Sequence, residues 1–232
     1  NQTVMNKNKT TQSGNVFFIV LISVVLFGAL MYTFSRGARQ GGENIRNRQA
    51  DIAAADIMGH AQKLERAVNF IMRKNHSETE ISFETNHVGG YTNRACGVDS
   101  CQIFNDFGGP LAWHPPPADA NDGTDWTFNA TNTIQGVGCD AATIDCTDLV
   151  AFLPNLRQSV CLKINERLQN PNPGDAPPVD SDTSVDETSK FIGSFAYGNA
   201  LATTGGVLDG KSSGCFQEGA GVFHFYHVLL AR

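Results

Sequence analysis

The run Val16–Phe34 contains no charged side chain across nineteen residues. As an α-helix rising about 1.5 Å per residue it reaches roughly 28 Å, close to the hydrocarbon thickness of a bilayer. A cleavable signal peptide has a shorter apolar region and a small-x-small site after it. Here the run is followed by Ser35-Arg36-Gly37-Ala38-Arg39, so it reads as a retained anchor. Whatever else the chain folds into must hang from this segment.

The remainder is large enough for one extramembrane domain with a real core. The net charge of −6 hides an asymmetry. Residues 1–74 hold ten Lys/Arg against four Asp/Glu, and residues 75–232 hold seven against nineteen. An acidic, glycine-rich distal part argues against nucleic acid as a partner. All six cysteines, Cys96, Cys101, Cys139, Cys146, Cys161 and Cys215, lie in that part. An even number in a membrane-attached chain points to disulfides and an oxidising compartment, and no pair has the C-x-x-C spacing of a zinc site. Fifteen pairings are open. The sequential set, Cys96–Cys101, Cys139–Cys146 and Cys161–Cys215, is expected.

Residues 1–14 form a short polar leader or cytoplasmic tail, with Met5 followed by Asn6-Lys7-Asn8-Lys9 in the manner of a translation start. Residues 15–36 hold the membrane helix. Gly37, Gly41 and Gly42 then lower helical propensity and mark a flexible or melted joint at the start of residues 37–74. From Glu43 to about Lys74 the apolar residues Ile57, Ala61, Leu64, Val68 and Ile71 recur at intervals of three and four, which predicts an amphipathic stalk helix.

Residues 75–232 change to short apolar runs punctuated by Gly, Pro, Asn and Asp, the pattern of a β-rich domain. Strands are expected at Glu80–Glu84, Gln102–Phe104, Asp125–Asn129, Lys190–Tyr197 and Val222–Leu230. A second helix is expected at Asn155–Gln169, where Leu156, Val160, Ile164 and Leu168 share a face. Both alternating faces of Val222–Leu230 are mostly apolar, which places it in the middle of the sheet with His224 and His227 on opposite sides.

The junction Ser13-Gly14-Asn15-Val16-Phe17-Phe18, between a Lys-containing leader and an apolar helix, resembles the prepilin-peptidase site of type IV pilins and secretion-system pseudopilins. The plan of one long N-terminal helix, a β-rich domain and late disulfides resembles that family too. The resemblance implies cleavage between Gly14 and Asn15 by a prepilin peptidase, handling by an inner-membrane assembly machinery, and self-association into a helical filament. Its core would be the helix carrying Val16, Phe17, Phe18, Ile19, Leu21, Ile22, Leu26 and Phe27. It also places the large domain in the periplasm, or outside the cell in an assembled filament. A count of basic residues flanking the anchor points the other way, with Lys7 and Lys9 before it and Arg36, Arg39, Arg46 and Arg48 after it. The cysteines support the external placement. Two departures stand out: the family usually has Phe or Met first and Glu fifth in the mature chain, and this chain has Asn15 and Ile19 there.

No nucleophile elbow, His-Glu-x-x-His helix or phosphate loop is present, and the six histidines are scattered, so neither catalysis nor a cofactor is expected. Asp180, Asp182 and Asp186 supply oxygen ligands of the kind Ca²⁺ takes, without the central glycine of an EF-hand loop. A solvated acidic loop is the expected reading there. Trp113, Trp126, Phe223, Phe225 and Tyr226 suit core packing better than a ligand platform.

The sequence therefore defines an α+β chain, with a long N-terminal helix, membrane-spanning then amphipathic, packed on an antiparallel sheet tied by disulfides. Its expected role is that of a pilin-like or pseudopilin-like structural subunit, touching the bilayer through residues 16–34. The alternative is a non-assembling anchored periplasmic protein that binds a ligand or partner through its loops.

Overall fold

The structure, a computed structural model, describes residues 14–180, 185–201, 206–219 and 221–232, and of residues 14–15 and 34–43 it describes the backbone only. The chain divides into two compact units, 1–47 and 48–232. The first helix, α1 (Gly14–Arg73), belongs to both. Its backbone is helical at Gly37, Gly41 and Gly42, and the division between units falls after Asn47.

Unit 48–232 is mixed α+β. Its sheet holds β1 (Thr127–Ile134), β2 (Asp148–Leu153), β3 (Val179–Asp180), β4 (Asn199–Leu201), β5 (Ser213–Glu218) and β6 (Val222–Leu230) in the order β3-β5-β6-β2-β1-β4. The four central strands pair antiparallel, as expected. Both edges depart from that expectation, because β4 joins β1 and β3 joins β5 in parallel. Each edge strand arrives from a long loop, not a tight hairpin, which is what parallel pairing requires.

One face of the sheet buries the α1 residues Ile57, Ala61, Leu64, Val68 and Ile71, every one of them fully enclosed. The stripe read from the sequence is thus the helix side of the core. The second helix, α2 (Gln158–Leu168), lies within the expected span and adds Val160, Cys161 and Ile164 to the same core. It ends where Gln169 turns left-handed (φ 57°) and caps the last carbonyls. The other face carries a smaller core of Ile134, Val150, Phe152, Leu208, Phe216, Tyr226 and others. Strand β6 spans the predicted residues and is buried on both sides, with Phe225 in the larger core and Tyr226 in the smaller.

Other strand expectations change. Glu80–Glu84 and Gln102–Phe104 reduce to one bridge between Ser82 and Gln102, because Glu78–Glu80 winds into a 3-10 turn. The expected Asp125–Asn129 overlaps the start of β1, which begins at Thr127 and runs on to Ile134 past an irregularity between Asn129 and Asn132. Lys190–Tyr197 is not a strand: Phe191 and Ala196 donate to the Phe128 and Ala130 carbonyls of β1, with a turn at Gly193 (φ 90°) between them.

All three disulfides have the sequential pairing, with Cα–Cα distances of 5.7 Å for Cys96–Cys101, 5.1 Å for Cys139–Cys146 and 5.4 Å for Cys161–Cys215. The first two close local loops, and the third ties α2 to β5. Trp126, Phe223 and Phe225 belong to the larger core, against which Trp113 packs, and Tyr226 belongs to the smaller, in line with the packing expected for them.

Candidate membrane and assembly surface

Val16–Thr33 of α1 has a mean hydropathy of 2.6 and no residue of it is buried. Val16, Phe17, Phe18, Ile19, Leu21, Ile22, Leu26 and Phe27 are all exposed, from 44% at Ile22 to 76% at Phe17. Successive residues advance about 100° around a helix, so these eight cover its whole circumference and form no single stripe. A helix apolar all round is stable only where apolar matter surrounds it, in lipid or among other apolar helices.

Its two aliphatic hydroxyls fit that environment. Ser23 Oγ donates to the Ile19 carbonyl at 2.7 Å and Thr33 Oγ1 to the Leu30 carbonyl at 2.8 Å. The Ser23 and Thr33 hydroxyls are thus satisfied within the helix, as a segment without access to water favours. Gly28 faces open space and leaves a notch where another helix backbone can approach closely. Gly14 and Asn15 open α1, and the leader before them lies outside the described residues.

A second surface lies wholly within unit 48–232. An open groove of about 390 Å³ runs between α1 and β6, lined by Met58, Gln62, Glu65, Arg66, Leu168 and His227 among others. His227 Nε2 stands 3.1 Å from Glu65 Oε2. Burial pushes the His227 imidazole below its ordinary value, and the Glu65 carboxylate opposes that push. The groove also meets Ser213, whose hydroxyl is committed to the Tyr226 carbonyl at 3.3 Å. This arrangement offers a charged and apolar contact surface.

The acidic segment makes contacts of its own among the described residues. Asp186 accepts backbone hydrogen bonds from Thr188 (3.1 Å) and Ser189 (2.9 Å), closing a turn. Burial raises its carboxyl, but bonds from Ser189, Thr131 and Thr188 outweigh that and hold it below the usual range. Asp180 sits in β3 in register with Glu218, and Asp182 lies outside the described residues. Among the described residues the segment contributes Glu187, not Asp180 or Asp186, to a cluster with Glu218 and His224. Sequence spacing gives no sign of that cluster, since it draws on a loop and both strands of a hairpin.

The His60 and His114 rings come within 5.3 Å of one another, while His224 and His227 lie on opposite faces of β6, in the smaller and larger cores respectively. Comparison of the chain with protein-family models, with curated proteins and with solved structures finds no match.

Proposed function

We propose that this chain is a membrane-anchored, pilin-like structural subunit that self-associates through the apolar part of α1, with its disulfide-tied domain on the oxidising side of the membrane. The observation that carries this reading is the exposed, uncharged surface of Val16–Thr33, apolar on every side of the helix and with the Ser23 and Thr33 hydroxyls internally satisfied. Three disulfides support the compartment. The burial of the α1 stripe in the sheet core supports a helix that carries its own head domain.

A second reading is favoured by Ile19, which stands where the resembled family has Glu. In that reading the chain is anchored but does not assemble, and the groove at Glu65 and His227 receives a partner. Shearing and crosslinking of cells of the native host separate the two. Filaments or ladders of multiples of this chain are expected for the assembling subunit. Recovery of the chain solely as a membrane-bound monomer would leave the anchored module as the better account.

A further inference from the structure

The β5–β6 hairpin turns through Gly219 (φ 60°) and Gly221 (φ 82°), conformations that favour glycine. This turn sets Glu218 opposite Val222 and Phe216 opposite His224. Side chains alternate along strands, so Glu218 and His224 share the face that carries the smaller core. His224 is 2% exposed, with its ring 5.5 Å from that of Phe216, and neither ring nitrogen has a hydrogen-bond partner among the described residues. Its Nε2 stands 3.3 Å from Glu218 Oε2 without hydrogen-bond geometry.

A buried imidazole left in this condition is costly, because each unsatisfied nitrogen loses its hydration with nothing in return. The carboxylates around it have the complementary problem. Glu218 Oε1 accepts the Val185 backbone N–H at 3.1 Å, which fixes the segment that delivers Glu187. The donor atoms of Glu187, Glu218 and His224 all fall within 4.8 Å of one another. Asp180, in register with Glu218, adds a further acidic group beside them. Among the described residues no lysine or arginine forms an ion pair with Glu187 or Glu218.

We propose that Glu187, Glu218 and His224 bind a divalent first-row transition ion of the zinc class, which ties residues 185–187 to the β5–β6 hairpin. One imidazole nitrogen and two carboxylates suit such an ion, whereas Ca²⁺ and Mg²⁺ take oxygen ligands alone. Tetrahedral bonds of about 2.0–2.2 Å place neighbouring donors about 3.3 Å apart. His224 Nε2 and Glu218 Oε2 already have that separation. Glu187 is half-buried and needs to close by at most about 1.5 Å, within reach of a side-chain rotation. Water completes the fourth position. The site is independent of whether the chain forms filaments.

The test uses the full-length, untagged protein in detergent, stripped with a chelator and titrated with Co²⁺, then Zn²⁺, with Ca²⁺ as the oxygen-ligand control. The expected result is one equivalent of Co²⁺ with a visible ligand-field spectrum, displaced by Zn²⁺ and not by Ca²⁺, and a thermal midpoint that rises with free Zn²⁺. His224→Gln and Glu187→Gln should each weaken Co²⁺ binding at least tenfold, while His87→Gln at an exposed position leaves it unchanged. Glu187 lies outside both cores, so its variant reports on the site even where the His224 variant does not fold. A wild-type protein with no saturable Co²⁺ spectrum, equal displacement by Ca²⁺, or undiminished binding in Glu187→Gln overturns the proposal.

Discussion

The side-chain amide of Asn165 and the backbone of Cys215 are hydrogen-bonded in both directions: Asn165 Nδ2 donates to the Cys215 carbonyl at 2.8 Å, and the Cys215 N–H donates to Asn165 Oδ1 at 2.9 Å. The amide therefore acts as a one-residue strand presented by α2 to β5. Asn165 lies one helical turn beyond Cys161, whose disulfide holds the same Cys215. Both residues are fully buried, so the polar and covalent links between α2 and the sheet coincide at a dry point. Asn165→Ala leaves a buried N–H and carbonyl unpaired and is expected to cost about 2–4 kcal/mol. Asn165→Asp keeps the acceptor but loses the donor and buries a charge. Equilibrium unfolding in denaturant measures both, and a cost below 1 kcal/mol for the alanine variant would contradict this role.

The three disulfides should contribute unequally. In the chain-entropy model, closing the 54-residue span of Cys161–Cys215 stabilises by about 4 kcal/mol, and the 5- and 7-residue spans by about 2 kcal/mol each. Paired Cys→Ser replacements, compared by urea midpoint, should rank in that order. Non-reduced digests should contain three crosslinks and no free thiol. A 96–101 variant that loses more stability than the 161–215 variant would reverse the ranking.

Two buried groups give stability a pH dependence of opposite sign. His60, 3% exposed and 5.2 Å from the Trp126 ring, is pushed down from 6.5 to about 4, first by burial and then by His114 and Lys63, with Asp56 opposing. The unfolded chain takes up this proton first on acidification. Its contribution is full above pH 6.5 and is lost as pH falls towards 4. Asp148 is raised to about 6 by burial, against hydrogen bonds from the Ile134 and Arg232 N–H groups and the charge of Arg232. Its contribution is full below its unfolded value near 3.8 and is lost as pH rises through about 6. Denaturant midpoints between pH 4 and 7.5 should fall less on acidification in His60→Leu. They should fall more in Asp148→Asn, which also lowers stability throughout because an amide cannot accept from both N–H groups. Parallel profiles for wild type and both variants would show that neither group titrates as its surroundings require.

Legibility followed periodicity. The α1 stripe from Ile57 to Ile71 and the two apolar faces of Val222–Leu230 were readable because one neighbour per face dictates each pattern. Strand β2, Asp148–Leu153, is buried at every position, and a continuous apolar run has no period that marks it as a strand. Strand β5 holds Gly214 and polar ends, so only its pairing with β6 reveals it. The parallel edges depend on where long loops return, which local sequence does not encode. The apolar helix is a property of one contiguous run and was plain. The Glu187, Glu218 and His224 cluster exists only through hairpin register and the Val185 hydrogen bond to Glu218.

Processing gives a direct check on the leader. The resemblance of Ser13-Gly14-Asn15-Val16-Phe17-Phe18 to a prepilin-peptidase site predicts a mature chain that begins at Asn15. Intact-mass analysis of protein from the native host should find that terminus, and Gly14→Leu should abolish it. An N-terminus at or before Met5 as the sole species would remove the pilin-like reading of the leader while leaving the anchor intact.

The two readings of the apolar helix differ in what its surface must match. Lipid asks only that Val16–Thr33 be apolar, whereas packing against other copies also asks for shape. Phe17 and Phe18 are 76% and 63% exposed, adjacent, and about 100° apart around α1, so the pair presents aromatic surface on two sides of the helix. Replacing both with Leu keeps the segment apolar enough to insert and removes two aromatic rings from that surface. The double variant should reach the membrane at the wild-type level, since insertion depends on hydropathy. Its filaments should be fewer, or should break at lower shear, since assembly depends on close packing. Unchanged filaments in the variant would show that these two side chains lie outside the assembly contacts. Equal loss from the membrane and from filaments would place the effect on insertion, not on packing.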